Sequence, residues 1–185
     1  MNASIRATSD FLQQADLLII TFGTATIYRL SASGEVVSNC HKLPAKEFQE
    51  ERLTISQITA LWNELITNWQ SENPRLKILF TVSPIRHWKN GAHADQLNKA
   101  VLLLAVNELI HSNVSCYYFP AYEIQLDDLR DYRFYADDLI HPNTQAINYI
   151  WEKFGEAYFE KKTIELCREL EKKQRAEKHR PLIKS

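Results

Sequence analysis

The chain has 185 residues, of which 45% are hydrophobic and 24% charged, and its formal net charge at pH 7 is -1. These values fit one soluble globular domain that can bury a core, and they give no electrostatic reason to expect nucleic acid or a membrane surface as a partner. No run is apolar and long enough to predict a signal peptide or a membrane span. Three scattered cysteines without a CxxC pair indicate a reducing, cytoplasmic location.

Three apolar runs predict strands. Those over Asp16 to Gly23 and Lys77 to Val82 are of the type buried on both faces, as in a parallel sheet. The run from Val114 to Phe119 predicts a third strand. Between the first two, residues 26–30 and 35–39 flank a Ser-Ala-Ser-Gly turn and predict a small hairpin.

Helical spacing of apolar residues predicts three long helices. They cover about 54–69, about 94–111 and a stretch that starts near Pro142 or Asn143. Segment 121–136 is aromatic and charged, and we expect irregular structure with a helical turn there. Beyond Glu160 the chain is almost wholly charged, which predicts a solvated helix that frays into a tail. The predicted division is therefore a domain over residues 1–160 and a tail over 161–185.

The alternation of strands and helices predicts a doubly wound α/β fold. Three strands make a small sheet for that class, and one edge strand would be unusually apolar. We therefore expect neighbouring strands to be missing from the chain or supplied by a partner, with association through the open sheet edge as one consequence.

The segment Tyr135-Ala-Asp-Asp-Leu-Ile-His-Pro142 carries the strongest chemical signal. Asp138 lies three residues before His141, so in a tight loop its carboxylate can accept the Nδ1 proton of the imidazole and leave Nε2 as a general base. The alternative is a helix cap, in which Asp138 or Asn143 serves the following helix and His141 is incidental. Asp137 is a second, less suitable partner for the imidazole.

Two further segments lie where ligands bind in open α/β sheets, at the carboxyl ends of strands. The N–H of Gly23 or Thr24 could stabilise an oxyanion, although a simple turn has the same sequence. Arg86 could clamp an anion and His87 could donate to a substrate; the alternative is a surface ion pair and a solvated imidazole.

A thiol nucleophile and a metal centre are the weaker hypotheses. Cys40 stands next to His41, but neighbours in sequence rarely face each other, so a structural cysteine is preferred. The three histidines His41, His87 and His141 match no compact zinc-ligand spacing. We predict neither a metal site nor a cofactor.

Five segments together resemble the GSCFA family, a bacterial group assigned to the SGNH (GDSL-like) hydrolase superfamily. The matching stretches are Thr21 to Ala25, Val37 to Pro44 (with His41), Phe80 to His87, Gly91 to His93 with Asn98 to Ala100, and Tyr118 to Pro142.

The resemblance implies a three-layer α/β/α, flavodoxin-like parallel sheet of which the first strands are missing. It makes Asp138 and His141 the DxxH pair of SGNH proteins. It aligns Gly23 with the oxyanion block, where this chain has Gly-Thr-Ala-Thr in place of GxND. One hypothesis is that His41, Arg86 or His87 replaces the missing asparagine. The Gly-Ser-Cys-Phe-Ala motif that would hold the nucleophilic serine is absent from the chain.

The function expected from these observations is SGNH-type ester hydrolysis, such as removal of an O-acyl group from a glycan. His141 would be the base and Asp138 its orienting carboxylate, with the serine in a missing N-terminal segment, so that the isolated chain would be inactive. Two alternatives stay open: a non-catalytic carbohydrate- or partner-binding module on the same fold, and an acyltransferase that uses the same pair.

Overall fold

The chain divides into two compact units, Met1–Pro142 and Asn143–Ser185. A computed structural model describes residues 3–38 and 43–178. The strands are β1 (Leu17–Phe22), β2 (Thr26–Leu30), β3 (Val36–Val37), β4 (Phe48–Arg52), β5 (Lys77–Val82) and β6 (Cys116–Phe119). The helices are α1 (Ala3–Leu12), α2 (Ile55–Glu72), α3 (Gly91–Ser112), α4 (Ala121–Leu126), α5 (Thr144–Tyr158) and α6 (Lys161–Lys178). The sequence-based boundary at residue 160 stays a prediction.

A parallel three-stranded sheet in the order β1-β5-β6 forms the centre of the first unit. The β1–β5 register runs from Leu17 opposite Lys77 to Phe22 opposite Val82, so both strands end at the same level. Helices α2 and α3 complete the connections that parallel neighbours need. This is a mixed α/β fold with a parallel sheet flanked by helices, which confirms the predicted three-layer α/β/α class.

Strand β5 is buried on both faces, as predicted, because it is central and every side chain from Ile78 to Val82 is covered. On one face Ile78 and Phe80 pack with Ile66 of α2 and Leu109 of α3. This continuous apolar layer is the main source of hydrophobic stabilisation in the unit.

The prediction that β1 is buried on both faces is wrong. Leu17 and Ile19 are 46% and 50% exposed, and within the described residues β1 pairs only with β5. An apolar run indicates a strand with an apolar environment, but it does not tell whether that strand lies at the centre or at the edge of the sheet.

A second, antiparallel sheet in the order β3-β2-β4 follows β1. The hairpin of β2 and β3 confirms the predicted one, although β3 is only two residues long. Strand β4, with the sequence FQEER, was not predicted, because most of its side chains are polar and exposed. An ion pair between Arg29 and Glu51, 2.6 Å apart, joins β2 to β4 across the pair.

The predicted helices are confirmed with shifted ends. A capping box of Thr54 and Gln57 starts α2. Strand β6 begins at Cys116, its first residue paired with β5, and not at Val114, which is 98% exposed. Helices α1 and α4 were not predicted as such. In α5 the stripe expected to face a core is partly exposed, and the rings of Trp151 and Phe154 stack on each other.

The charged segment after residue 160 forms helix α6, as expected for a solvated helix. Among the described residues, no helix combines the length and the apolar character that crossing a bilayer demands.

Candidate functional site

The segment from Tyr135 to Pro142, here called the Asp–His loop, closes on itself. Its ends meet in a β-bridge between Tyr135 and Pro142, and the Ala136 N–H donates to the His141 carbonyl over 2.8 Å. Inside the loop Leu139 has a φ of 57°, a left-handed conformation that costs a non-glycine residue about 1 kcal/mol. This turn brings Asp138 and His141 to the same side.

Asp138 accepts three hydrogen bonds, two of them from His141. His141 Nδ1 donates to Asp138 Oδ2 over 2.6 Å, while Asp138 Oδ1 accepts the N–H groups of Ile140 and His141 at 2.8 and 3.0 Å. Helix α5 is capped by Asn143 instead, whose Oδ1 accepts the Ala146 N–H. The capping alternative for Asp138 therefore does not apply, and the imidazole pairs with Asp138 and not with Asp137.

These bonds stabilise the ionised form of the Asp138 carboxyl. The backbone N–H groups of His141 and Ile140, followed by the His141 ring, lower the pKa of Asp138 to about 2. The carboxylate is thus ionised at physiological pH and fixes the proton on Nδ1, which leaves Nε2 as the basic nitrogen. Because the His141 side chain is 56% exposed, an external substrate can reach it.

Gly23 and Thr24 follow directly after β1, at the carboxyl edge of the sheet. Neither backbone N–H has a hydrogen-bond acceptor within the described part of the chain. A Cβ at position 23 would lie only 3.2 Å from Nε2 of His87, so a larger residue there would push against this imidazole. Glycine at this position leaves room for the close approach of the His87 ring.

His87 follows β5 and is partly buried. Its backbone N–H donates to Asp95 Oδ1 over 3.1 Å, and this bond anchors His87 to α3. Burial lowers the pKa of the His87 imidazole, and the charge of Lys99 and the nearby His141 lower it further against the opposing effect of Asp95. His87 is therefore neutral at pH 7 and able to donate one N–H without adding a charge.

Arg86, considered above as an anion clamp, connects β5 to the Asp–His loop. Its backbone N–H donates to the Ile140 carbonyl at 3.3 Å, and its Nη1 donates to the Leu139 carbonyl at 3.0 Å. The guanidinium also lies over three rings, those of Tyr135 at 4.0 Å and of Tyr132 and Trp88 at 5.3 Å each. These contacts make Arg86 a brace of the loop.

We expect Arg86→Met to loosen the Asp–His loop, because it removes the bond to Leu139 and the cation–π contacts, each worth about 0.5–1 kcal/mol at exposed sites. The free energy of unfolding should fall by about 1–2 kcal/mol, and the Ile140 and His141 amides should exchange faster with solvent. Urea titration and hydrogen exchange measure both effects. Arg75→Met is the control, since within the described residues the Arg75 side chain makes only an exposed ion pair, with Asp16 at 3.8 Å. Equal effects of the two variants would contradict the role of Arg86 as a brace.

Two further potential nucleophiles near the sheet, a serine and a cysteine, are poorly suited to react. Ser83 is 8% exposed, and its hydroxyl accepts the Ile85 N–H, so it is poorly placed to attack a substrate. Burial raises the pKa of the Cys116 thiol to about 11, which makes it unreactive at neutral pH. His41 and Cys40 lie outside the described residues.

Sequence reasoning gave no role to three buried polar residues of α3, namely Asp95, Asn98 and Lys99, which are 2%, 6% and 1% exposed. They reach the segments after β1 and β5. Their spacing of three and four residues places them on one helix face together with Leu102 and Val106. Polar residues on an otherwise apolar face were a usable signal, because a buried charge requires partners.

Comparison with known proteins agrees with the resemblance noted from the motifs. The sequence model described as the GSCFA family matches residues 1–154, a span that includes the Asp–His loop and the segments after β1 and β5. No curated protein matches the chain. With more than half of its residues matched by this family model, the chain belongs to the GSCFA family.

Proposed function

We propose that this chain carries the acid–base half of an SGNH-type ester hydrolase that removes an O-acyl group from a glycan or a small molecule. The observation that carries the proposal is the 2.6 Å hydrogen bond between His141 and an ionised Asp138, with Arg86 linking their loop to the end of β5. An imidazole held in one tautomer beside strand ends is the arrangement that acyl transfer requires.

The reaction would run in two halves. His141 Nε2 takes the proton of a serine hydroxyl as its oxygen attacks the acyl carbon, and the carbonyl oxygen becomes an oxyanion. The N–H groups of Gly23 and Thr24 and the neutral His87 would donate to that oxyanion. His141 then passes the proton to the leaving alcohol. A water molecule, activated by His141 in the same way, cleaves the acyl-serine and releases the acid.

The serine would come from another polypeptide segment. Ser83, the serine at the end of β5, is buried and its hydroxyl is occupied. Within the described residues β1 pairs only with β5, so its other edge is open to added strands. The half-exposed Leu17 and Ile19 on β1 leave apolar side chains that such a segment could cover.

The test combines this chain with a GSCFA-bearing segment. We expect p-nitrophenyl acetate and acetylated xylan to be hydrolysed only when both are present, and a fluorophosphonate probe to label a serine of the added segment. The probe should not label this chain, because Ser83 is buried. Strong hydrolysis by the isolated chain, or labelling of Ser83, would contradict the proposed source of the nucleophile.

A glycan-binding module is the second candidate, and the Gly-Thr-Ala-Thr sequence at Gly23 favours it because the usual oxyanion asparagine is replaced. The variant His141→Ala distinguishes a binding module from an enzyme. A binding module keeps its affinity for the glycan and shows no turnover before or after the substitution, whereas an enzyme loses turnover. An acyltransferase would differ from a hydrolase by requiring an alcohol acceptor, visible as an acylated product in place of free acid.

A further inference from the structure

A buried lysine lies beneath the carboxyl edge of the parallel sheet. Lys99 of α3 is 1% exposed, and its ammonium donates to the carbonyl oxygens of Gly23 and Ser83, each at 2.7 Å. These carbonyls belong to the first residues after β1 and β5. A buried lysine needs such partners, because burying an ammonium without them is costly.

The bonds extend the pairing of the two strands beyond their ends. The last paired residues are Phe22 and Val82, followed by the bond from the Ser83 N–H to the Phe22 carbonyl. Beyond this point, Lys99 bridges the segments that follow β1 and β5 by binding the carbonyls of Gly23 and Ser83. Its neighbour Asn98 adds a bond to the Thr26 hydroxyl at 3.2 Å, so two adjacent residues of α3 hold the turn after β1.

The bond to Gly23 has a consequence for the next residue. The Gly23 carbonyl and the Thr24 N–H belong to one planar, trans peptide unit, so they point in opposite directions. With the carbonyl directed at Lys99, the Thr24 N–H is directed away from α3. A cation on the carbonyl also polarises the unit and strengthens its N–H as a donor.

We propose that Lys99 is a positioning residue that aims the Thr24 N–H as an oxyanion donor by binding the Gly23 carbonyl. The role in catalysis rests on the proposed hydrolase function, whereas the orientation and polarisation of the peptide unit do not. Lys99 touches no substrate and acts through this peptide unit.

The charge on Lys99 follows from its surroundings. Burial lowers its pKa to about 8, opposed by Asp95. The groups around it are Asp95 on its own helix, the Tyr122 ring of α4 at 5.7 Å and His87, whose pKa is lowered by the lysine charge. Lys99 is thus mostly charged at pH 7 and loses its proton as the pH rises through about 8.

The first experiment uses the unaltered chain and NMR. The ¹⁵N and ¹H shifts of the Thr24 amide should follow a titration with a midpoint of about 8, because removing the charge on Lys99 changes the polarisation of the Gly23–Thr24 unit. Thr24 shifts that stay flat between pH 6 and 10 would overturn the proposal. This measurement does not depend on any enzymatic activity.

The second experiment compares Lys99→Met with Lys77→Met, which alters an exposed lysine at the start of β5. In Lys99→Met the Thr24 amide should shift and lose its titration, and the His87 midpoint should rise because a neighbouring cation is gone; Lys77→Met should change neither. An unchanged Thr24 amide in a folded Lys99→Met would overturn the proposal. If that variant does not fold, the titration of the unaltered chain decides.

The catalytic role is read from kcat against KM in the chain combined with its serine-bearing segment. Lys99→Met should lower kcat by about 100-fold with little change in KM, as expected for a misplaced oxyanion donor. Unchanged kcat would overturn the catalytic role. Absence of hydrolysis before any substitution would instead reject the proposed function, and the NMR titration would still decide the orientation of the peptide unit.

Discussion

His141→Ala is expected to lower kcat of the proposed hydrolase by about 10²–10⁴-fold, the range that a positioned general acid or base contributes. KM should change little, since the imidazole takes the proton of the serine hydroxyl and does not bind the ester in the ground state. The measurement is steady-state hydrolysis of p-nitrophenyl acetate by this chain combined with the proposed serine-bearing segment.

The control is His111→Ala, which removes another exposed imidazole whose Nδ1 bonds to the Asn107 carbonyl in the last turn of α3. This variant should keep full activity. Turnover that survives His141→Ala would reject the proposed base.

The same reasoning covers the carboxylate partner. Asp138→Asn removes the charge that fixes the tautomer of His141. Because Asp138 acts through His141, the double variant Asp138→Asn/His141→Ala should have nearly the same kcat as His141→Ala alone. Because the pKa of Asp138 is lowered to about 2, this carboxyl stays ionised above about pH 3. Loss of activity between pH 7 and 4 must therefore come from another group.

Phe80→Ala should cause the largest loss of stability, about 3–5 kcal/mol. Phe80 is fully buried in the central strand, with its ring stacked on Phe22 at 5.5 Å and edge-on to Trp62 at 5.5 Å. Its removal leaves a cavity between β5 and α2 that rigid neighbours on both sides cannot close. Urea unfolding, followed by tryptophan fluorescence and circular dichroism together, measures the change.

The matched control is Phe11→Ala on α1, where the ring is 70% exposed and little packing is lost. It should cost less than about 1 kcal/mol. A loss below about 1 kcal/mol for Phe80→Ala would contradict the placement of this ring at the centre of the apolar layer.

Elements with a strong local pattern were predictable. Strand β5 has the predicted ends because a strand covered on both faces produces a continuous apolar run bounded by breakers. Strand β4 was not predicted, because an edge strand that makes ion pairs does not need a pattern of apolar side chains. The position of a strand within the sheet could not be predicted either, and the expected burial of Leu17 and Ile19 was therefore wrong.

The sequence by itself determined the Asp138–His141 pair, because residues three apart in a short loop meet through local turn geometry alone. It also marked Gly23 and His87 as strand-end residues. Only the tertiary structure decided that the His87 ring lies against Gly23, that Arg86 braces a loop 53 residues away, and that Lys99 binds a carbonyl 76 residues away. Such contacts depend on how α3 and the loops pack against the sheet, and a packing arrangement is a property of the whole fold that no short segment encodes.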